Sequence, residues 1–352
     1  MLAVRYAAFQ QPAEVVSVPE PGCPVDGVVV EVEATGLCRS DWHGWMGHDR
    51  DIALPHVPGH EFAGRVLAVG AEVRSVAVDD RVTASFIGAC GRCPSCRRGE
   101  QQVCDDQLQV GFHLWGSFAE LVAVPRAEVN LVPIPDGMPV DVAALLGCRF
   151  GTAYRAVVDR GRAQAGDWVV VHGCGGVGLS AVMIAVARGA RAIAVDVAAD
   201  PLERAGLFGA EVLLRADETD VAMAVREVTG GGAQVSIDAY GAPATAQLSV
   251  RCLGKRGRHV QVGLLADDGG LVPVPMAAVL SAELDLLGSH GMPARDYPPM
   301  IAEIQSGALD PGRLIERHVG LADAARLLTD GDSARRPGAT IVVPRQRAPV
   351  RR

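Results

Sequence analysis

The residues best suited to chemistry lie in one segment, residues 36–61, which reads GLCRSDWHGWMGHDRDIALPHVPGHE. Cys38 and His60 offer a thiolate and an imidazole, two ligand types that zinc prefers. They are 22 residues apart, so the fold must bring them together and supply a third ligand from elsewhere. Ser40 and His43 follow Cys38 by two and five residues and add a hydroxyl and a titratable ring. This combination indicates metal-assisted chemistry on an alcohol or a carbonyl group.

A second pattern places four cysteines within fifteen residues: Cys90, Cys93, Cys96 and Cys104. Gaps of two residues let successive thiolates converge on one tetrahedral ion, and the longer last gap lets the chain return with the fourth. Four thiolates leave no open position for a substrate, so we predict a structural zinc site. The alternative is four unrelated cysteines in a loop, which this spacing disfavours.

The third pattern is a glycine-rich turn directly after the strand-like run WVVVH. Its members are Gly173, Gly175, Gly176, Val177 and Gly178. Gly173 allows a tight turn, Gly175 lets a pyrophosphate approach the backbone, and Gly178 lets helix and strand pack closely. Asp196, 18 residues after Gly178, would accept the ribose hydroxyls of NAD and repel the 2′-phosphate of NADP. The alternative is an ordinary glycine turn with a surface aspartate.

The order of strand-like and helix-like runs predicts two kinds of domain in the 352 residues. Residues 1–149 contain short strand-like runs broken by Gly, Pro and Asp, which is typical of a β-rich domain. From Asp167 onward, strands alternate with helices, which predicts an α/β domain with a doubly wound parallel sheet. After about residue 291 the pattern is mixed again and ends in the strand-like TIVVP.

Composition excludes several classes of protein. The net charge is −8 and there is no basic run, so we expect no nucleic-acid partner. Residues 168–187 carry no formal charge, but their glycines indicate a strand, turn and helix rather than a membrane span. Nine cysteines in a long chain without a secretion signal predict a cytoplasmic protein with reduced thiols.

Together these motifs resemble the zinc-dependent alcohol dehydrogenases of the medium-chain dehydrogenase/reductase superfamily. GLCRSDWH, GHEFAGRVLAVGAEV, the four-cysteine segment, LLGCRFGTAYRAV and GCGGVGLSAV occur in the family's order over nearly the whole chain. The resemblance implies a GroES-like catalytic domain, residues 1–149 and 291–352, and a Rossmann NAD-binding domain, residues 150–290. It also implies a small-molecule alcohol or carbonyl substrate. The short interval between the last cysteine of the cluster and LLGCRFGTAYRAV implies a homo-oligomer, with a tetramer favoured over a dimer.

The resemblance also implies a ligand set for a catalytic zinc ion, formed by Cys38, His60 and Cys148. With the four-cysteine site, the chain would bind two zinc ions. Asp41 would orient the His60 ring, as ligands of this kind usually require. Glu61 would either approach the metal transiently or serve as a structural partner, and Cys148 could instead be an ordinary buried helix cysteine.

Other residues acquire roles through the same resemblance. Arg39 would meet the coenzyme pyrophosphate, and Phe86 would line the substrate pocket. The chain departs from its relatives where many of them have an arginine near the last strand, because it has Ala339 there. Either Arg335 or Arg336 replaces that pyrophosphate contact, or the coenzyme binds more weakly.

The expected reaction is reversible hydride transfer between an alcohol and NAD, with zinc polarising the substrate oxygen. Ser40 would take the hydroxyl proton, and His43 would pass it to solvent. The alternative is that His43 only caps a surface turn. For the whole chain, the alternatives are a polyol or aldehyde dehydrogenase on the same scaffold and a non-catalytic nucleotide-binding protein. A cysteine as third ligand favours simple alcohols over polyols, and the retained ligand set disfavours a non-catalytic role.

Overall fold

The computed structural model describes residues 1–266, 268–330 and 338–345. The strands are β1 (Leu2–Arg5), β2 (Glu14–Ser17), β3 (Val28–Leu37), β4 (Phe62–Val69), β5 (Arg81–Ala84), β6 (Leu121–Val124), β7 (Leu131–Pro133), β8 (Trp168–His172), β9 (Arg191–Asp196), β10 (Val212–Arg215), β11 (Ala233–Asp238), β12 (Leu253–Gln261), β13 (Asp285–Gly288), β14 (Ile315–Val319) and β15 (Ala339–Val342). The α-helices are α1 (Arg39–Met46), α2 (Pro94–Arg97), α3 (Ala127–Asn130), α4 (Val140–Leu145), α5 (Gly151–Arg155), α6 (Gly176–Ala187), α7 (Ala199–Leu207), α8 (Val221–Thr229), α9 (Pro243–Arg251), α10 (Met276–Ala282), α11 (Tyr297–Gln305) and α12 (Leu321–Thr329).

The N-terminal half, together with β14 and β15 from the C-terminal part, forms a β-rich layer around β3. Its sheet runs in the order β14-β15-β3-β4-β5-β7, with β6 also paired to β3. β3 and β4 are antiparallel, and Thr35 pairs with Phe62. The segment that follows β3 therefore meets the segment that precedes β4 at one edge of the sheet. This register brings Cys38 close to His60 despite their separation in the sequence.

The second half forms a parallel sheet in the order β10-β9-β8-β11-β12-β13. The central strand β8 is buried along its whole length, as expected for a strand covered on both faces. Val169 and Val171 belong to one core cluster, while Trp168 and Val170 belong to another on the opposite face. Strands alternate with helices along this half, so the predicted doubly wound α/β fold is confirmed.

The helical segment from α4 to α5 connects β7 of the first sheet with β8 of the parallel sheet. α4 and α5 are separated by a π-helical turn, Leu146–Phe150, and a second π-turn, Ala156–Arg160, follows α5. A π-turn leaves main-chain carbonyls without their usual α-helical partners, and such turns frequently occur at functional sites. Here the Tyr297 hydroxyl donates to the Leu146 carbonyl at 2.9 Å, and the Phe86 amide donates to the Gly147 carbonyl at 2.9 Å. The first π-turn carries Cys148.

Strand membership is compatible with the proposed domain limits, since β14 and β15 join the N-terminal sheet and β13 ends the parallel sheet. The limits 1–149 with 291–352, and 150–290, stay a prediction. Among the described residues, every helix is too short or too polar to cross a membrane.

Candidate active site

Four side chains meet where β3, β4 and the π-turn approach one another. Ligand atoms of Cys38, His60, Glu61 and Cys148 all lie within 4.8 Å of one another. Cys38 is the residue that precedes α1, and His60 and Glu61 directly precede β4. The sequence-predicted metal ligands are therefore brought together, including the third one that the spacing alone left unspecified.

The His60 ring is fixed by Asp41 from one side. His60 Nδ1 and Asp41 Oδ1 are 3.0 Å apart, and both side chains are fully buried. Asp41 also accepts from the Gly59 amide at 3.0 Å and from the Cys38 amide at 2.9 Å. His60 Nε2 is buried and has no hydrogen-bond partner among the described residues. A buried ring nitrogen beside two thiols, with no partner of its own, fits a zinc ligand.

Arg149 is a residue of this site that sequence reasoning missed. Its Nη2 lies 2.6 Å from Glu61 Oε2, and its Nε lies 2.9 Å from the same oxygen and 3.1 Å from Oε1. The Arg149 amide also donates to Glu61 Oε1 at 2.7 Å. Both oxygens of Glu61 thus accept hydrogen bonds from Arg149. The available signal was an arginine inside the apolar run LLGCRF, since a buried charge must find a partner.

Neighbouring groups shift the pKa values of this site in different directions, and contact with Cys38 holds the pKa of the Cys148 thiol well above its ordinary value. Contact with Cys148 holds the pKa of the Cys38 thiol well below its ordinary value, helped by His60 and opposed by burial. Burial lowers the pKa of Arg149, but the Glu61 carboxylate together with Cys38 and Cys148 raises it above its ordinary value. The thiolate form that a metal requires is therefore favoured at Cys38, and the guanidinium stays charged.

Ser40 and His43 lie one helical turn apart on α1, which places them on the same face. Cys38 Sγ lies 3.9 Å from Ser40 Oγ, so the hydroxyl is beside the metal cluster. His43 Nδ1 is 2.9 Å from Nδ1 of His48. One proton must lie between the two nitrogens for this contact to be a hydrogen bond.

The four-cysteine segment forms its own cluster away from these residues. Its sulfur atoms lie within 4.8 Å of one another, with Cys90 Sγ 3.9 Å from Cys96 Sγ and Cys93 Sγ 3.8 Å from Cys104 Sγ. Zinc–sulfur bonds of about 2.3 Å give a tetrahedron with edges of about 3.8 Å. The measured separations match that edge and are far too long for a disulfide. This set fits a closed structural zinc site.

The glycine-rich turn has the shape that its sequence predicted. Gly173 has a φ of 88°, and a Cβ on Gly178 would collide with the Gly173 carbonyl oxygen. A Cβ on Gly175 would meet no atom within 4 Å, so the turn faces open space. Asp196 ends β9 beside this turn and accepts from the Cys174 amide at 2.8 Å. Space beside the turn and a helix N-terminus behind it fit a dinucleotide phosphate group.

Of the three arginines predicted to contact the coenzyme pyrophosphate, Arg39 is among the residues that the structure describes. The Arg39 guanidinium stacks over the Trp42 ring, 3.8 Å from its centroid. Arg335 and Arg336 lie outside the described residues. Ala339, where many relatives have an arginine, is buried in β15.

Phe86 lies beside the metal cluster, with its ring centroid 6.3 Å from that of His60. Phe112, which sequence reasoning missed, is closer to His60 at 4.9 Å. Phe86 also packs against His290, at 5.3 Å, and His290 lines a cavity of about 480 Å³. Four aspartates line the same cavity: Asp49, Asp51, Asp105 and Asp106. An acidic cavity therefore lies beside His290, whose ring packs against Phe86.

Comparisons with known proteins agree with this geometry. Residues 25–136 match the family model of the alcohol dehydrogenase GroES-like domain, and residues 176–306 match that of the zinc-binding dehydrogenases. An NAD-dependent alcohol dehydrogenase of Sulfurisphaera tokodaii is 30% identical over 98% of this chain and 100% of its own. A D-arabitol-phosphate dehydrogenase of Enterococcus avium is 31% identical over 87% of this chain and 86% of its own.

A solved structure of an alcohol dehydrogenase from Thermus sp. ATN1 superposes with a TM-score of 0.90 at 30% identity, covering 98% of this chain and 100% of that one. The predicted GroES-like and Rossmann folds are thereby confirmed. The chain belongs to the zinc-binding dehydrogenase family and is an oxidoreductase of the alcohol dehydrogenase type.

Proposed function

We propose that this protein is an NAD-dependent dehydrogenase of small, uncharged alcohols that binds two zinc ions per chain. One observation carries the proposal. A ring nitrogen of His60 lies within 4.8 Å of the thiols of Cys38 and Cys148, and the buried Nε2 of that ring has no hydrogen-bond partner among the described residues. Three donors with a free fourth position are the usual set for catalytic zinc.

The two ligand sets have different tasks in this proposal. Cys38, His60 and Cys148 would hold the catalytic ion, which supplies a Lewis acid for the substrate oxygen when bound. The four-cysteine set would hold the structural ion and stabilise its loop. Asp41 holds the His60 ring so that Nε2 faces the two sulfurs, since it bonds the opposite nitrogen.

NAD, the proposed hydride acceptor, is favoured by the surroundings of Asp196. The carboxylate ends β9 next to the glycine-rich turn, where it would accept ribose hydroxyls and repel a 2′-phosphate. We expect Asp196→Gly to narrow or reverse a preference for NAD over NADP. Equal catalytic efficiency of the unaltered protein with both coenzymes would show that the role of Asp196 is wrong.

The proposed proton path begins at Ser40. Its hydroxyl is 3.9 Å from Cys38 Sγ, the position from which it can accept the proton of an alcohol beside the metal. His43 lies one turn further along α1 and is paired with His48. His48 is exposed, so in this proposal the imidazole pair would pass the proton on to solvent.

The substrate is proposed to be uncharged because an acidic cavity is lined by His290, the residue that packs against Phe86. Four aspartates line it, and a phosphate group entering there would be repelled. This feature disfavours sugar phosphates, although one relative is a D-arabitol-phosphate dehydrogenase. A polyol or an aldehyde is the second candidate class, since neither carries a charge.

A homo-oligomer is proposed from an exposed edge of the parallel sheet. β13 is its last strand, and α10 beside it has no buried residue. Large apolar side chains are exposed there: Leu271 is 77% exposed, Met276 60%, Leu280 81% and Leu286 39%. Such an apolar sheet edge fits association with a second copy.

The test combines metal analysis with a substrate panel. We expect two zinc ions per chain, reduction of NAD by neutral alcohols, and little reduction by phosphorylated polyols. Cys38→Ser should abolish turnover and leave about one zinc ion, whereas Cys23→Ser, at an exposed cysteine, should change neither. Full activity in Cys38→Ser, or no activity with any alcohol, would refute the proposal.

A further inference from the structure

The Arg149 side chain lies between the metal cluster and the glycine-rich turn. It is 4% exposed, and Nε and Nη2 are directed at Glu61. Nη2 also donates to the Leu37 carbonyl at 2.7 Å, at the end of β3. One edge of the planar guanidinium is thus fully used by the catalytic domain.

The other edge faces the coenzyme domain. A Cβ on Gly176 would lie 3.1 Å from Arg149 Nη1 and 3.2 Å from its Cδ, so the guanidinium touches the first residue of α6. Nη1 has no hydrogen-bond partner among the residues that the structure describes. An arginine has five N–H donors in a rigid fork, so donors remain on this edge.

The electrostatics at this point favour an anion. The first N–H groups of a twelve-residue helix have no acceptor within the helix, and its dipole adds positive potential. A guanidinium beside the same helix end supplies a geometry suited to phosphate oxygens. Glu61 neutralises Arg149 in the free protein, so burial of this arginine does not leave an unpaired charge.

We propose that Arg149 donates from Nη1 to a phosphate oxygen of the dinucleotide coenzyme while its opposite edge holds Glu61. Arg149 is then a coenzyme-binding residue that links the dinucleotide site to the carboxylate beside the metal ligands. The proposal rests on the proposed function, because it requires a dinucleotide at the turn. It explains why an arginine, rather than a lysine, lies here, since only a fork reaches both partners.

The test measures binding of ADP-ribose and NADH by calorimetry, in the zinc-loaded protein and without turnover. Arg149→Met alone would leave the Glu61 carboxylate buried and unpaired, which threatens folding. We therefore compare Glu61→Gln with the same variant carrying Arg149→Met in addition. The added substitution should weaken both ligands about 10–100-fold, as expected for one charge-assisted bond of about 1.5–3 kcal/mol. Arg149→Lys should bind with intermediate affinity.

Arg188→Met is the matched control. Arg188 follows the same helix at its other end and forms an ion pair with Glu303 at 2.7 Å. Its loss should leave the dissociation constant of ADP-ribose within about threefold, because surface pairs contribute little. If Glu61→Gln binds ADP-ribose and NADH equally well with and without Arg149→Met, the proposed role of Arg149 is wrong, but the dinucleotide site is not. Failure of the unaltered protein to bind either ligand would overturn the dinucleotide site and the proposal with it.

Discussion

Replacing Asp41 by asparagine tests how far the catalytic metal depends on a residue that is not itself a ligand. The carboxylate makes three contacts: to His60 Nδ1 at 3.0 Å, to the Gly59 amide at 3.0 Å and to the Cys38 amide at 2.9 Å. All three groups donate to oxygen when His60 Nδ1 is protonated. Asparagine has one oxygen and one NH₂, so at least one donor would face another donor.

The size of the effect follows from these contacts. Hydrogen bonds to a charged group contribute about 1.5–3 kcal/mol, and neutral ones about 0.5–1.5 kcal/mol. In Asp41→Asn one bond is lost and the others become neutral. Part of this loss destabilises the metal-free protein as much as the zinc-bound protein, so it lowers the free energy of unfolding without changing zinc affinity. For the remainder we expect catalytic-site zinc affinity to fall about 10–100-fold, the usual result when the partner of a ligating histidine is changed.

The assay is retention of zinc after dialysis against chelators of graded strength. The four-cysteine site is an internal reference, because Asp41 does not touch it. In Asp41→Asn one ion should leave at a weaker chelator than in the unaltered protein, and the second should be unaffected. Asp136→Asn, which changes an exposed aspartate, is the control for loss of one negative charge. Identical retention curves in Asp41→Asn and the unaltered protein would refute the reasoning.

Three further predictions concern other parts of the molecule. Cys93→Ser should lose about one zinc ion, and its main effect should be a lower melting temperature rather than slower turnover. Cys23→Ser, at an exposed cysteine, should change neither the zinc content nor the melting temperature. Elemental analysis measures the zinc content, and calorimetry measures the melting temperature. Burial, reinforced by His259, lowers the pKa of His172 to about 3. Because the unfolded chain takes up that proton near pH 6.5, the free energy of unfolding should fall by about 2 kcal/mol from pH 7 to pH 5. His172→Gln should lack this decrease in the free energy of unfolding. If the urea midpoints of His172→Gln and of the unaltered protein depend on pH in the same way, the prediction is wrong. His43→Gln should slow alcohol oxidation about 10–100-fold and flatten its rise with pH, while an unchanged profile in steady-state rates would leave this residue a surface-turn histidine.

Much of the site could be predicted from sequence because the residues of each motif are close together in the chain. The spacing of the four cysteines fixes a tetrahedral set within one loop, whose sulfurs lie within 4.8 Å. The glycines of the turn after β8 are required by backbone approach, and Gly178 has no room for a side chain. The alternation of strands and helices likewise determined the parallel sheet. β10 carries a weaker signal, because it is a short, partly exposed edge strand without a buried run.

Only the tertiary structure decided how distant residues meet. The register of β3 against β4 brings Cys38 to His60, and a π-turn brings Cys148 and Arg149 to both. The spacing of the ligands reveals neither feature, because the register of β3 and β4 depends on which faces of the strands are buried. The bond between Arg149 and Glu61 joins residues 88 positions apart. The sequence alone determined which residues could do chemistry, and the fold determined that a buried arginine lies between the metal cluster and the glycine-rich turn.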